Sequence, residues 1–182
     1  MRSKVNILII GVVYLTTLFA DGIRYLDEVF DSVVKTEDVV YGNAPDLPFW
    51  FWVESNTVDI DLDMDVYEPV GDTETNRPVI IFAHTGSYFS GHNELDDVVD
   101  LSISAAKRGY VAVSVNYRLG INVFSTYSGE RAVYRAVQDG GAAIRYLREF
   151  PDEFGINPDQ IFMWGTSAGA LVALHLSYLD DD

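Results

Sequence analysis

Gly165-Thr166-Ser167-Ala168-Gly169 sets a serine between two glycines where an apolar run, Ile161 to Trp164, gives way to a helix-forming run, Ala168 to Leu179. A Gly-x-Ser-x-Gly sequence at a strand-to-helix junction is a nucleophile elbow. The turn is so tight that the serine is strained and bulky neighbours would collide. Small residues at Gly165 and Gly169 relieve that crowding and leave the Ser167 Oγ exposed at the head of a helix. There the backbone N–H of Ala168 and the positive helix end favour an oxyanion. The chemistry this implies is attack by Ser167 on a carbonyl carbon. A plain strand-to-helix turn of small residues is the bland alternative, and the strand before and the helix after weigh against it.

Such an elbow has to be held by a sheet. Val58, Ile60, Leu62, Met64 and Val66 alternate with Asp59, Asp61, Asp63 and Asp65, which predicts a strand with one wet face, antiparallel and toward a sheet edge. As a calcium loop the aspartate series fails, with Met64 at the sixth position and Val70 at the twelfth. After a polar turn over Gly71 to Pro78, Val79 to Ala83 reads as a short buried strand. Leu95, Val98, Val99, Ser102, Ile103 and Ala106 fall at helical spacing and stop at Gly109. Tyr110 to Val115 is a second buried strand. Val133, Ala136, Val137, Gly140, Ala143, Ile144 and Leu147 share one helical face, with Gly140 and Gly141 placed for close approach to a sheet. Ile161 to Trp164 is the third buried strand. Strands alternating with helices predict an α/β fold, a mostly parallel sheet with helices on both faces.

The 182 residues make one domain at most. With 48% hydrophobic and 22% charged residues, the chain can bury a substantial core. Its 28 acidic and 12 basic residues leave a net charge of -16, which repels nucleic acid and anionic membrane surfaces. Residues 1–20 read as an export signal: Arg2 and Lys4, then the apolar stretch Val5 to Phe19, then Ala20 before Asp21. The mature domain is then 21–182, periplasmic or secreted, with no stable membrane insertion after cleavage. No cysteine is present, so disulfides and thiolate metal sites are excluded, and export without them suits a bacterium. Phe49-Trp50-Phe51-Trp52 reads as an early core strand before it reads as a sugar-stacking platform.

Four segments in order resemble the α/β-hydrolase carboxylesterases, over roughly residues 58 to 179. His84-Thr85-Gly86-Ser87-Tyr88-Phe89-Ser90-Gly91 is similar to their oxyanion loop, usually His/Tyr-Gly-Gly-Gly-Phe. Val113 to Gly120 resembles the signature at the end of a parallel strand. Gln138-Asp139 with Ala142 to Leu147 resembles the helix before the elbow, and Phe154 to Ile161 leads into it as in the family. The resemblance implies an α/β-hydrolase fold, present here as its N-terminal part with the C-terminal strands and helices missing. It implies a small-molecule ester substrate and no metal or organic cofactor. It carries the oxyanion hole onto the backbone N–H groups of Gly86, Ser87 and Ala168; one such donor is worth roughly 3 kcal/mol. Thr85 and Ser87 depart from the family's glycines. Thr166, where cholinesterase-like members have glutamate, points to the smaller bacterial esterases.

A serine at neutral pH needs a base, normally a histidine oriented by a carboxylate. Of the three histidines, His84 opens the oxyanion loop and in the family supports it. His92 sits in a polar turn, and His175 lies eight residues along the helix from Ser167, about 12 Å away along its axis. In the family's order the acid and then the histidine follow the serine after later strands, so both are expected beyond residue 182. The same residues also admit a serine peptidase of this fold, or a non-catalytic binding module like the adhesion relatives of cholinesterases. The retained serine and oxyanion loop count against the binding module.

Overall fold

The computed structural model describes residues 22–47, 57–122 and 124–178. The export-signal reading and the Phe49–Trp52 run lie outside these residues. Five strands, β1 (Val33–Asp46), β2 (Val58–Pro69), β3 (Arg77–Ala83), β4 (Val111–Val115) and β5 (Ile156–Gly165), form one sheet in the order β1-β2-β4-β3-β5. The first two pairings are antiparallel, and β4–β3 and β3–β5 are parallel. Four helices are described: α1 (Asp96–Lys107), α2 (Ser128–Glu149), the single turn α3 (Pro151–Phe154) and α4 (Ala168–Tyr178).

The two inner parallel strands are apolar and β-branched without polar alternation, and nearly every residue in them is buried. On one face Met64, Val66, Val79, Ile81, Val111 and Val113 pack with Ala132, Ala136, Ala143 and Leu147 of α2 and Val172 of α4. On the other, Tyr67, Phe82 and Ala112 pack with Val98, Ala105 and Ala106 of α1. Fully burying one such Val, Ile or Leu contributes about 1.5–3 kcal/mol. The expected two-sided arrangement is therefore present. Val115, Ala83 and Gly165 are neighbours in register at one end of the sheet, so the loops after β4, β3 and β5 all leave the same carboxyl edge.

Several expectations need correction. β1, a strand not expected from the sequence, is an outer strand without clean alternation: its register shifts twice, and Asp38 has φ +56°. The wet face expected of β2 holds at Asp59 and Asp61 but not at Asp65, which is buried and paired with Lys35 at 2.9 Å. β5 begins at Ile156, and Phe162 and Trp164 are 56% and 37% exposed, so it is not a buried strand among the described residues. Gly140 makes its closest approach to Val172 and Leu176 of α4, with Met163 the sheet's contribution.

Candidate active site

β5 ends at Gly165 and α4 starts at Ala168, so Thr166 and Ser167 are the entire turn. Ser167 has φ +51°. A non-glycine residue held there costs about 1–3 kcal/mol and persists only where its surroundings enforce it. The enforcement is steric: a Cβ at Gly165 would run into the backbone of Gly169, and one at Gly169 into the Ala83 carbonyl. Ser167 is exposed, as the motif predicts. Ala168 heads α4, where the first N–H groups of a helix have no intrahelical acceptor.

Across from the elbow, the loop after β3 turns through three consecutive left-handed residues, Gly86 (φ +128°), Ser87 (+54°) and Tyr88 (+58°). The N–H groups of Phe89 and Ser90 close it by donating to the Gly86 carbonyl at 2.9 and 3.1 Å. Among the described residues the backbone N–H groups of Gly86, Ser87 and Ala168 find no acceptor. Thr85 is half-buried, and its carbonyl lies 2.7 Å from His84 Nδ1.

His84 is buried and stacked on the Tyr117 ring, centroids 4.1 Å apart. The Tyr117 hydroxyl donates to the His84 carbonyl at 2.7 Å. Burial pushes the His84 pKa below its usual value; the Thr85 carbonyl and Asp97 oppose that, and His92 adds to it. A neutral ring donating from Nδ1 fits these surroundings. His92 is exposed and accepts from the Glu94 N–H; His175 Nδ1 lies 2.7 Å from the Leu171 carbonyl of its own helix. None of the three bonds Ser167 among the described residues.

Two supports escaped the sequence reading. Asp139 of α2 is buried and takes both Arg118 Nε and Nη2, the latter at 2.6 Å, and also the Arg118 backbone N–H at 2.8 Å. This fixes the loop after β4 to α2. Both residues stood in the quoted motifs, but nothing in the spacing pairs them. The second is Tyr88, whose hydroxyl donates to the Ala168 carbonyl at 2.8 Å. A cavity of about 470 Å³ lies beside the loop, walled by Phe89, Ser90, Asn116, Tyr117, Asp61 and Asp63; Ser167 is not among its walls.

A strained, exposed serine at a strand-to-helix turn, tied through Tyr88 to the loop after β3 at the carboxyl edge of a mixed sheet, is the arrangement of the α/β-hydrolase fold. The BD-FAE family pattern matches residues 64–182, and the chain belongs to that family. The chain is similar to gut esterase 1 of Caenorhabditis briggsae, 32% identical over 53% of this chain and 17% of that one. To mouse neuroligin-2 it is 35% identical over 52% of this chain and 11% of the other. The solved structure of Thermogutta terrifontis esterase 2 phosphoramylated by tabun superimposes with a TM-score of 0.57. Its identity is 26%, over 78% of this chain and 46% of that one. The chain thus spans less than half the length of each of these relatives. Among the described residues no helix is long and apolar enough to cross a membrane.

Proposed function

We propose that the protein is a serine hydrolase of carboxylic esters, working through an acyl-enzyme on Ser167. The observation that carries this is the strained, exposed Ser167 beside the N–H of Ala168, with the loop of Gly86 and Ser87 tied to Ala168 through Tyr88 and all three N–H groups without an acceptor among the described residues. The Ser167 Oγ attacks the ester carbonyl carbon and its proton passes to a base. The carbonyl oxygen takes up the negative charge, and the N–H groups of Gly86, Ser87 and Ala168 receive it. Collapse of the tetrahedral species breaks the ester C–O bond, the base returns its proton to the departing oxygen to give the alcohol, and water then releases the acid by the same route. The donors are backbone groups, so their strength lies in being held in place before charge develops.

The base is a residue other than His84, His92 and His175. The first is buried under the loop, the second is turned to solvent, and the third is bonded to its own helix. A histidine and its carboxylate partner from the segment following α4 complete the triad. The esterase names of the relatives support this reading, as does organophosphorus modification of the Thermogutta enzyme, a reaction typical of activated nucleophiles. Export directed by residues 1–20 belongs to the same reading, and N-terminal sequencing at Asp21 would support it.

The test is hydrolysis of p-nitrophenyl butyrate by the protein expressed from its complete gene. Ser167→Ala should remove turnover by about 10³-fold or more, while Thr166→Ala retains it. Equal turnover in wild type and Ser167→Ala would overturn the assignment.

A further inference from the structure

We infer that the Tyr88 hydroxyl is a positioning group that sets the distance between the two halves of the oxyanion hole. This rests on the proposed function, since it concerns the same site. Gly86 and Ser87 lie on the loop after β3, while Ala168 lies some eighty residues further on, at the head of α4. Donors on segments so far apart in sequence must be held in register by something that touches both. Tyr88 directly follows Ser87, and its hydroxyl donates to the carbonyl of Ala168 itself at 2.8 Å, inside the protein. One residue therefore joins the nearest neighbour of one donor to the residue that supplies another.

The rest of Tyr88 is equally constrained. It is 4% exposed and held at φ +58°. Its own carbonyl accepts from the N–H of Gly120 at 2.8 Å and of Ile121 at 3.3 Å, which fixes it to the loop after β4. Its ring meets the edge of Tyr117, centroids 6.0 Å apart, and Tyr117 in turn bonds the His84 carbonyl. The ring and backbone would keep the loop's shape without the hydroxyl. The hydroxyl adds the one side-chain hydrogen bond from this loop to α4 among the described residues. Burial pushes the phenol pKa up, so it stays a donor at any working pH. A loop that turns through three consecutive positive-φ residues, Gly86, Ser87 and Tyr88, has a physical reason to need the added tether.

The experiment is Tyr88→Phe in the protein expressed from its complete gene, with active sites counted by stoichiometric fluorophosphonate labelling. Loss of one net hydrogen bond that aligns a donor should lower kcat per active site about threefold to tenfold, with KM within about twofold. Affinity for a trifluoromethyl ketone, which places an oxyanion in the same hole, should weaken by the same factor. A kcat unchanged once normalised per active site would overturn the inference, since the hydroxyl would then serve stability alone. So would a fall in kcat without weaker ketone binding. Absence of ester turnover in the wild-type protein defeats the proposed function instead, so the two failures are told apart.

Discussion

Ser167, Ser87 and Tyr88 all sit at positive φ, and each is held there by something identifiable: two close-packed glycines, a closed turn, and bonds to the loop after β4 and the head of α4. Strain that is enforced in this way can keep donors aimed before a substrate arrives. His84 beneath the loop gives this arrangement a pH dependence. Its folded pKa lies below the usual value of about 6.5, so the unfolded chain binds a proton the fold resists. The stabilisation is complete above pH ~6.5 and is lost as the pH falls toward the lowered folded value, at up to about 1.4 kcal/mol per pH unit. Urea titrations between pH 6.5 and 5 should show a shallower loss of stability in His84→Phe, which keeps the stack on Tyr117, than in wild type. Equal slopes would mean His84 is not held neutral. At this scale the sequence was informative about Ser167, Gly165 and Gly169, because tight turns restrict residue type. It was silent on Tyr88 and on the Arg118–Asp139 pair, which depend on contacts between distant segments.

Among the elements, β5 and α4 differ from the rest. Among the described residues β5 pairs only with β3, and Phe162 and Trp164 stand exposed on the sheet face that carries Phe82. The helix α4 carries no Asp, Glu, Lys or Arg, and its Leu171 and Leu174 are 43% and 53% exposed. A helix apolar on every side is built to be covered on every side. A polypeptide ending at Asp182 should therefore bind a hydrophobic dye and associate through this edge. A dye-silent, monomeric polypeptide of that length would contradict this. The apolar β5 sequence reads as a buried strand for the same reason: composition records the environment a segment is made for. The inner strands were legible as unbroken apolar runs, α1 and α2 from helical spacing, and α4 as the helix-forming run after the elbow. β1 was not, since two register shifts break its alternation, and Asp65 breaks the rule for β2 by finding Lys35.

For the whole molecule, three loops leave one edge of a five-stranded sheet; the loop after β3 carries Gly86 and Ser87, and the turn after β5 carries Ser167, with Ala168 next to it at the head of α4. Sheet order was beyond the sequence, because pairing between strands far apart leaves no local signal; the alternation of strand and helix restricted it to a mostly parallel arrangement. The net charge of -16 makes the molecule as a whole unfavourable to polyanions. The proposed function requires one activated serine, Ser167. A fluorophosphonate probe on the protein expressed from its complete gene, followed by mass spectrometry of the digest, tests it most directly. The expected adduct is single and stoichiometric on Ser167, and absent from Ser167→Ala. Label on another serine, or equal label on both proteins, would contradict the account.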